Sequence, residues 1–153
     1  MNLQRDPAHH VQVGDDSGQE LGGEYSITLQ INYEDTDAGG VVYYGNYLGY
    51  MERARNAFLR SLGLPLARVR DDYNLLFVVT EASINYHAPA VLDDEIQVTL
   101  EIQKLGAASV VFWHNVLRDT DRLVSASIKV ATVHGETFRP LRIPTQIRAM
   151  LLR

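Results

Sequence analysis

The sequence predicts an α+β fold, an antiparallel sheet of about five strands wrapped around one long helix. Three observations carry that expectation. Apolar and polar residues alternate strictly from Tyr25 to Tyr33. A single apolar stripe at helical spacing runs from Tyr47 to Leu62. Four strand-like runs then follow with no second long helix between them.

Residues 1–23 are polar and rich in Gly, Asp, Gln and His, without periodicity, and read as a mobile extension. The adjacent His9 and His10 read as solvated tail residues, because no other ligand type clusters beside them. A single domain is expected over residues 24–153. In its first strand Tyr25, Ile27, Leu29, Ile31 and Tyr33 point one way and Ser26, Thr28, Gln30 and Asn32 the other. After a Gly-containing segment, Tyr47, Leu48, Met51, Ala54, Phe58 and Leu62 recur at spacings that put them on one side of a helix of about 18 residues. Gly63-Leu64-Pro65 ends it, since glycine takes the left-handed cap and proline cannot continue the ladder. A short helical turn is expected around Leu66 to Tyr73. The later strands are Leu76 to His87, Glu95 to Lys104, Ser109 to Arg118 and Leu123 to His134. The third of these, with Val110-Val111-Phe112-Trp113, alternates poorly, as a strand covered on both faces does. The links Leu92-Asp93-Asp94, Gly106-Ala107-Ala108 and Asp119 to Arg122 have hairpin lengths, which predicts antiparallel neighbours. One helix covers one sheet face, so association with further copies is expected.

Composition narrows the function. Fourteen basic against nineteen acidic residues give a net charge of −5, which argues against nucleic acid as a partner. No apolar run approaches the roughly 20 residues of a membrane span, and the first stretch has no secretory-signal pattern. A cytoplasmic protein is expected. The absence of cysteine removes disulfides, thiolate ligands and cysteine nucleophiles together. His87, His114 and His134 sit in separate strand runs and read as structural, with no metal site.

The chemistry concentrates in the segment from Tyr33 to Tyr47. Glu34, Asp35 and Asp37 lie directly after a strand, Gly39 and Gly40 permit tight backbone geometry, and the long helix then begins. A helix start presents unpaired N–H groups and about half a positive charge, suited to holding a carbonyl oxygen as it gains charge. A carboxylate just upstream suits a nucleophile or a general base for water. The same pattern also describes a solvated acidic turn that caps the helix, and spacing alone leaves both open.

The run INYEDTDAGGVVYYGNYLGYMERARNAFLRSLGL, from Ile31 to Leu64, resembles the 4-hydroxybenzoyl-CoA thioesterase family of hotdog-fold proteins. The resemblance is strongest to its Tol-Pal-associated acyl-CoA thioesterase branch. Asn85-Tyr86-His87-Ala88-Pro89-Ala90, Leu92-Asp93-Asp94, Gly106 to Ser109 and Arg139-Pro140-Leu141-Arg142-Ile143-Pro144 extend it over about residues 25–145. It implies a hotdog fold, hydrolysis of acyl-CoA thioesters, and homodimers that pair into homotetramers. It implies no cofactor, CoA being part of the substrate. The second aspartate of the family motif falls on Asp37, which it implies is catalytic. The backbone N–H near Tyr44 would hold the thioester carbonyl, with Gly40, Asn46 and Tyr47 around the pocket. The branch often carries histidine where this chain has Tyr44, whereas the benzoyl-CoA enzyme has tyrosine; a backbone donor survives that exchange and a histidine side-chain proton role does not. Glu52 offers a rival carboxylate on the helix itself, but reads as an ion-pair residue with Arg55 as a partner. Lys104 falls where the family contacts CoA phosphates, and Arg139, Arg142, Arg148 and Arg153 add a basic C-terminal region. The competing expectations are a non-enzymatic hotdog binding partner and an enzyme directed at acyl-carrier protein.

Overall fold

A computed structural model of the chain describes residues 22–153. The expected extension up to residue 21, with His9 and His10, lies outside the described residues. In order, the elements are β1 (Tyr25–Gln30), a 3-10 turn (Tyr33–Asp35), α1 (Asn46–Ser61), α2 (Leu66–Tyr73), β2 (Leu75–Tyr86), β3 (Glu95–Leu105), β4 (Ser109–Arg118), β5 (Asp121–His134) and α3 (Thr145–Leu151). The strands form one antiparallel five-stranded sheet in the order β1-β3-β4-β5-β2, and α1 lies against β1 and β3. This is the expected hotdog arrangement.

The core follows from the period of each element. On the sheet, Val98, Leu100 and Ile102 of β3 stand in cross-strand rows with Val116, His114 and Phe112 of β4, and these with Val124, Ala126 and Ile128 of β5. From α1, Tyr47, Tyr50, Met51, Ala54, Phe58 and Leu59 come down onto them as one buried stripe. β4 turns out to alternate cleanly in burial: Val110, Phe112, His114 and Val116 are buried, and the residues between them are half-buried rather than covered.

Two expectations need correction. The link through Leu92-Asp93-Asp94 is not a hairpin, because β2 pairs with β5 and β3 pairs with β1. Residues 87–94 are long enough to cross the end of the sheet, and they are anchored there by an isolated bridge from Val91 to Val41 and by the Ile31 N–H donating to the Asp94 carbonyl. The first strand also ends at Gln30, since Asn32 opens a turn: its N–H donates to Asp35 Oδ2 at 2.8 Å. The C-terminal helix α3 was not expected. Its Ile147 and Leu151 are buried, and Arg148 Nη2 donates to the Gly106 carbonyl at 2.5 Å.

Candidate active site at the start of the long helix

Asp35 organises the entry to α1. Its Oδ2 accepts the Asn32 N–H, its Oδ1 accepts the Tyr50 hydroxyl at 2.7 Å, and its carbonyl accepts both the Tyr43 N–H and Asn46 Nδ2 at 2.9–3.0 Å. Both carboxylate oxygens are thus used in holding the loop against the helix. Burial, and then the adjacent Asp35 carboxylate, push the Tyr50 hydroxyl well above the usual tyrosine range, so it remains a donor.

Asp37 sits in the turn that this bracing supports. Its N–H donates to the Val41 carbonyl, Gly40 N–H donates back to the Asp37 carbonyl, and Thr36 bridges Val42. Gly40 has φ of 77°, a left-handed conformation that glycine adopts without a Cβ clash. The Asp37 side chain is exposed; Oδ1 accepts the Gly39 N–H at 2.8 Å, and Oδ2 has no hydrogen bond among the described residues. One oxygen is therefore oriented and the other is free to act on a neighbour.

The helix start follows the same segment directly in the chain. Gly45 is the N-cap and supplies no side-chain cap. Among the described residues the N–H groups of Tyr44 and Gly45 donate to nothing, whereas those of Tyr43 and Asn46 are bonded. Two adjacent open donors at the positive end of a 16-residue helix can polarise a carbonyl oxygen. Around them stands a group of tyrosines. Tyr44 is exposed, lies 4.8 Å from the Tyr43 ring, and has its carbonyl bonded by the Tyr86 hydroxyl at 3.0 Å. Tyr47 is 2% exposed, packs edge-on against Tyr50 and Tyr86, and its hydroxyl accepts the Ala90 N–H.

Asp37, Gly40, Tyr44, Asn46 and Tyr47 thus come together on one loop and the first turn of α1, with Asn46 occupied in bonding Asp35 and Tyr47 in the core. Lys104 does not join them. Its row across the sheet runs through Val111, Lys129 and Glu81, whereas Tyr86 faces Val124. Five residues along β5 separate the two rows, about 17 Å. Lys104 lines instead a shallow concavity of 460 Å³ on the outer sheet face with Lys129, Ser109 and Ser127. Of the C-terminal arginines, Arg139, Arg142 and Arg153 are exposed, and Arg148 is engaged with Gly106.

Sequence reasoning did not place Tyr86 at the site, although it lies in the Asn85 to Ala90 run that carries the family resemblance. It also missed the buried pair below α1. Arg55, 8% exposed, donates from Nη1 to His114 Nε2 at 3.3 Å, and His114 Nδ1 lies 3.1 Å from the Thr99 carbonyl. A carbonyl can only accept, so Nδ1 carries the proton and Nε2 takes the guanidinium N–H. Burial, with the nearby Arg55 charge, lowers the His114 pKa to about 3. Glu52 and Arg55 line one pocket but make no ion pair there.

Comparison with known proteins agrees with this architecture. The sequence model of the thioesterase superfamily matches residues 39–125. The chain is 36% identical over 129 residues to the acyl-CoA thioesterase YbgC of Haemophilus influenzae, covering 84% of this chain and 95% of that protein. It is 34% identical over 122 residues to the acyl-CoA thioester hydrolase YbgC of Escherichia coli O6:H1, covering 79% and 90%. Among solved structures, a probable thioesterase from Bartonella henselae superposes with a TM-score of 0.77 at 30% identity, covering 80% of this chain and all of that one. The chain belongs to the thioesterase superfamily, and it is an enzyme of that superfamily.

Proposed function

We propose that this enzyme hydrolyses acyl-CoA thioesters to the free acid and CoA, with Asp37 as the reacting carboxylate and the Tyr44 and Gly45 N–H groups holding the carbonyl oxygen. The observation that carries the reading is the pairing of two open helix-start donors with a carboxylate that keeps one oxygen free on the adjoining turn. Within the superfamily we read the chain with the Tol-Pal-associated acyl-CoA branch, on the run from Ile31 to Leu64.

A thioester gains little resonance stabilisation, so a carbonyl held by two N–H groups is sufficiently electrophilic. Asp37 either attacks it, giving a mixed anhydride and the CoA thiolate, or takes a proton from the water that attacks. In the first route water opens the anhydride and restores the carboxylate; in both, the thiolate leaves and is protonated by solvent. The negative charge on the tetrahedral carbon's oxygen is where the open N–H groups contribute most.

The assembly we infer is a homodimer built through the free edge of β2, with dimers pairing into tetramers. For the CoA phosphates, Lys104 then enters from a second subunit, since in its own chain it stands far from Tyr86. Replacing Asp37 with asparagine keeps the turn's shape and removes the base. Steady-state assay on acyl-CoA substrates is expected to show kcat lowered roughly a hundredfold or more, with an unchanged circular dichroism spectrum. Near-normal turnover by Asp37→Asn would reject the role.

A further inference from the structure

Beneath α1 lies a second feature that hydrolysis alone does not require. Because the helix leans over β1 and β3, it leaves a pocket of about 180 Å³ between itself and the β4, β5 and β2 side of the sheet. Its walls are mainly apolar, with Phe77, Phe112 and Val130 among them, and three polar residues come from one side of the helix: Glu52, Arg55 and Asn56. Arg55 is the unusual member. It is more than nine-tenths buried, and its one acceptor among the described residues is a neutral imidazole. No carboxylate lies within ion-pair distance of it, and Glu52, one turn earlier, is exposed to solvent.

A guanidinium offers five N–H donors in a planar fork, and here four are unspent inside a pocket. Glu52 acts on this cation through space but makes no contact with it, so the guanidinium has no hydrogen-bonded counterion, a place best filled by a carboxylate accepting two parallel N–H bonds. The apolar walls suit a methylene chain leading to that carboxylate. Arg55 also lies about 13 Å along the helix axis from Asn46 at ~1.5 Å per residue, so a long extended acyl chain is needed to serve both ends at once.

We propose that Arg55 is a specificity residue that receives a carboxylate at the far end of the acyl group, making the preferred substrates CoA monothioesters of dicarboxylic acids. The proposal rests on the acyl-CoA reading of the site above.

The test compares dodecanedioyl-CoA with dodecanoyl-CoA, equal in carbon count and differing in the terminal carboxylate. The ratio of kcat/KM values, dodecanedioyl to dodecanoyl, is expected to be about tenfold or more in the wild-type enzyme and near one in Arg55→Met. Arg55→Lys, which keeps the charge and loses the fork, is expected to fall between. A wild-type ratio of one or below, or a ratio unmoved by Arg55→Met, overturns the proposal; should Arg55→Met fail to fold, the wild-type and Arg55→Lys ratios decide alone. If neither thioester is hydrolysed, the acyl-CoA reading fails separately. Calorimetric titration with free dodecanedioate and free dodecanoate then judges the pocket, and equal affinity for the two acids counts against it.

Discussion

His114 shows how one side chain can couple the core to pH. Its ring is fully buried, its Nδ1–H is committed to the Thr99 carbonyl, and its Nε2 lone pair to Arg55. Protonating Nε2 would remove that acceptor and set two cations against each other in the interior. The folded-state pKa of about 3 lies below the ordinary value of 6.5, so between those values the unfolded chain binds the extra proton and the folded chain does not. Stability from this residue is therefore complete above about pH 6.5 and is lost as pH falls toward 3. The slope approaches about 1.4 kcal/mol per pH unit, a few kcal/mol over the window. Urea unfolding measured from pH 7 to pH 4 is expected to show that acid-limb slope in the wild-type chain and a flatter limb in His114→Asn, which is less stable at pH 7. Equal acid limbs in the two proteins would refute the account. None of this was legible in the sequence, because the partners are 59 positions apart and an arginine in a helix ordinarily reads as a solvated residue. The candidate site was more legible: Asp37 and the glycines announce a turn by their types. The open N–H groups of Tyr44 and Gly45 are different, since they depend on which backbone donors the loop consumes.

At the scale of elements, α1 is bounded by backbone hydrogen bonding more than by side chains. Its N-terminus is left uncapped, in keeping with two donors open to a ligand. Its C-terminus is closed tightly: the Leu64 N–H donates to the Leu59 carbonyl at 2.8 Å and the Gly63 N–H to the Arg60 carbonyl at 3.0 Å, with Leu59 and Leu64 both buried. This double bond pattern with an apolar clasp requires a left-handed residue between, and Gly63 has φ of 80°. A Cβ there would meet the Met150 Cε at 3.8 Å, ordinary contact, so substitution is penalised by conformation and not by crowding. Gly63→Ala is expected to cost about 1 kcal/mol and lower Tm by roughly 2–4 °C, read by thermal denaturation, with kcat unchanged. The stop signal Gly-Leu-Pro was visible in the sequence for this physical reason. The short α3 was not, because seven residues hold too little period to stand out against a coil.

The shape of the molecule as a whole is asymmetric in what it covers. α1 lies over β1 and β3, while the far edge strand β2 carries twelve residues of which most are exposed, including Val78, Val79 and Tyr86. Pairing order explains why link lengths misled: a short link is necessary for a hairpin, but residues 87–94 use theirs to carry the chain across the sheet end and leave β2 alone on its outer side. A long edge with exposed valines, a single charged residue and no proline invites another strand. Antiparallel pairing with the same strand of a second copy satisfies both edges at once and closes the assembly by a two-fold axis. Thr80 tests this with least damage to the monomer. It is the bulge position between Val79 and Glu81 and has no Cα partner on β5. Thr80→Pro therefore keeps the paired register intact and places a ring, without an N–H, on the strand that would meet the partner. Sedimentation velocity is expected to show a dimer or tetramer for the wild-type chain and a monomer for Thr80→Pro, with the circular dichroism spectrum retained. If the active site is completed across that edge, acyl-CoA hydrolysis falls with the loss of assembly. A wild-type chain that sediments as a monomer at micromolar concentration, or a Thr80→Pro variant that assembles as before, would remove β2 as the joining edge.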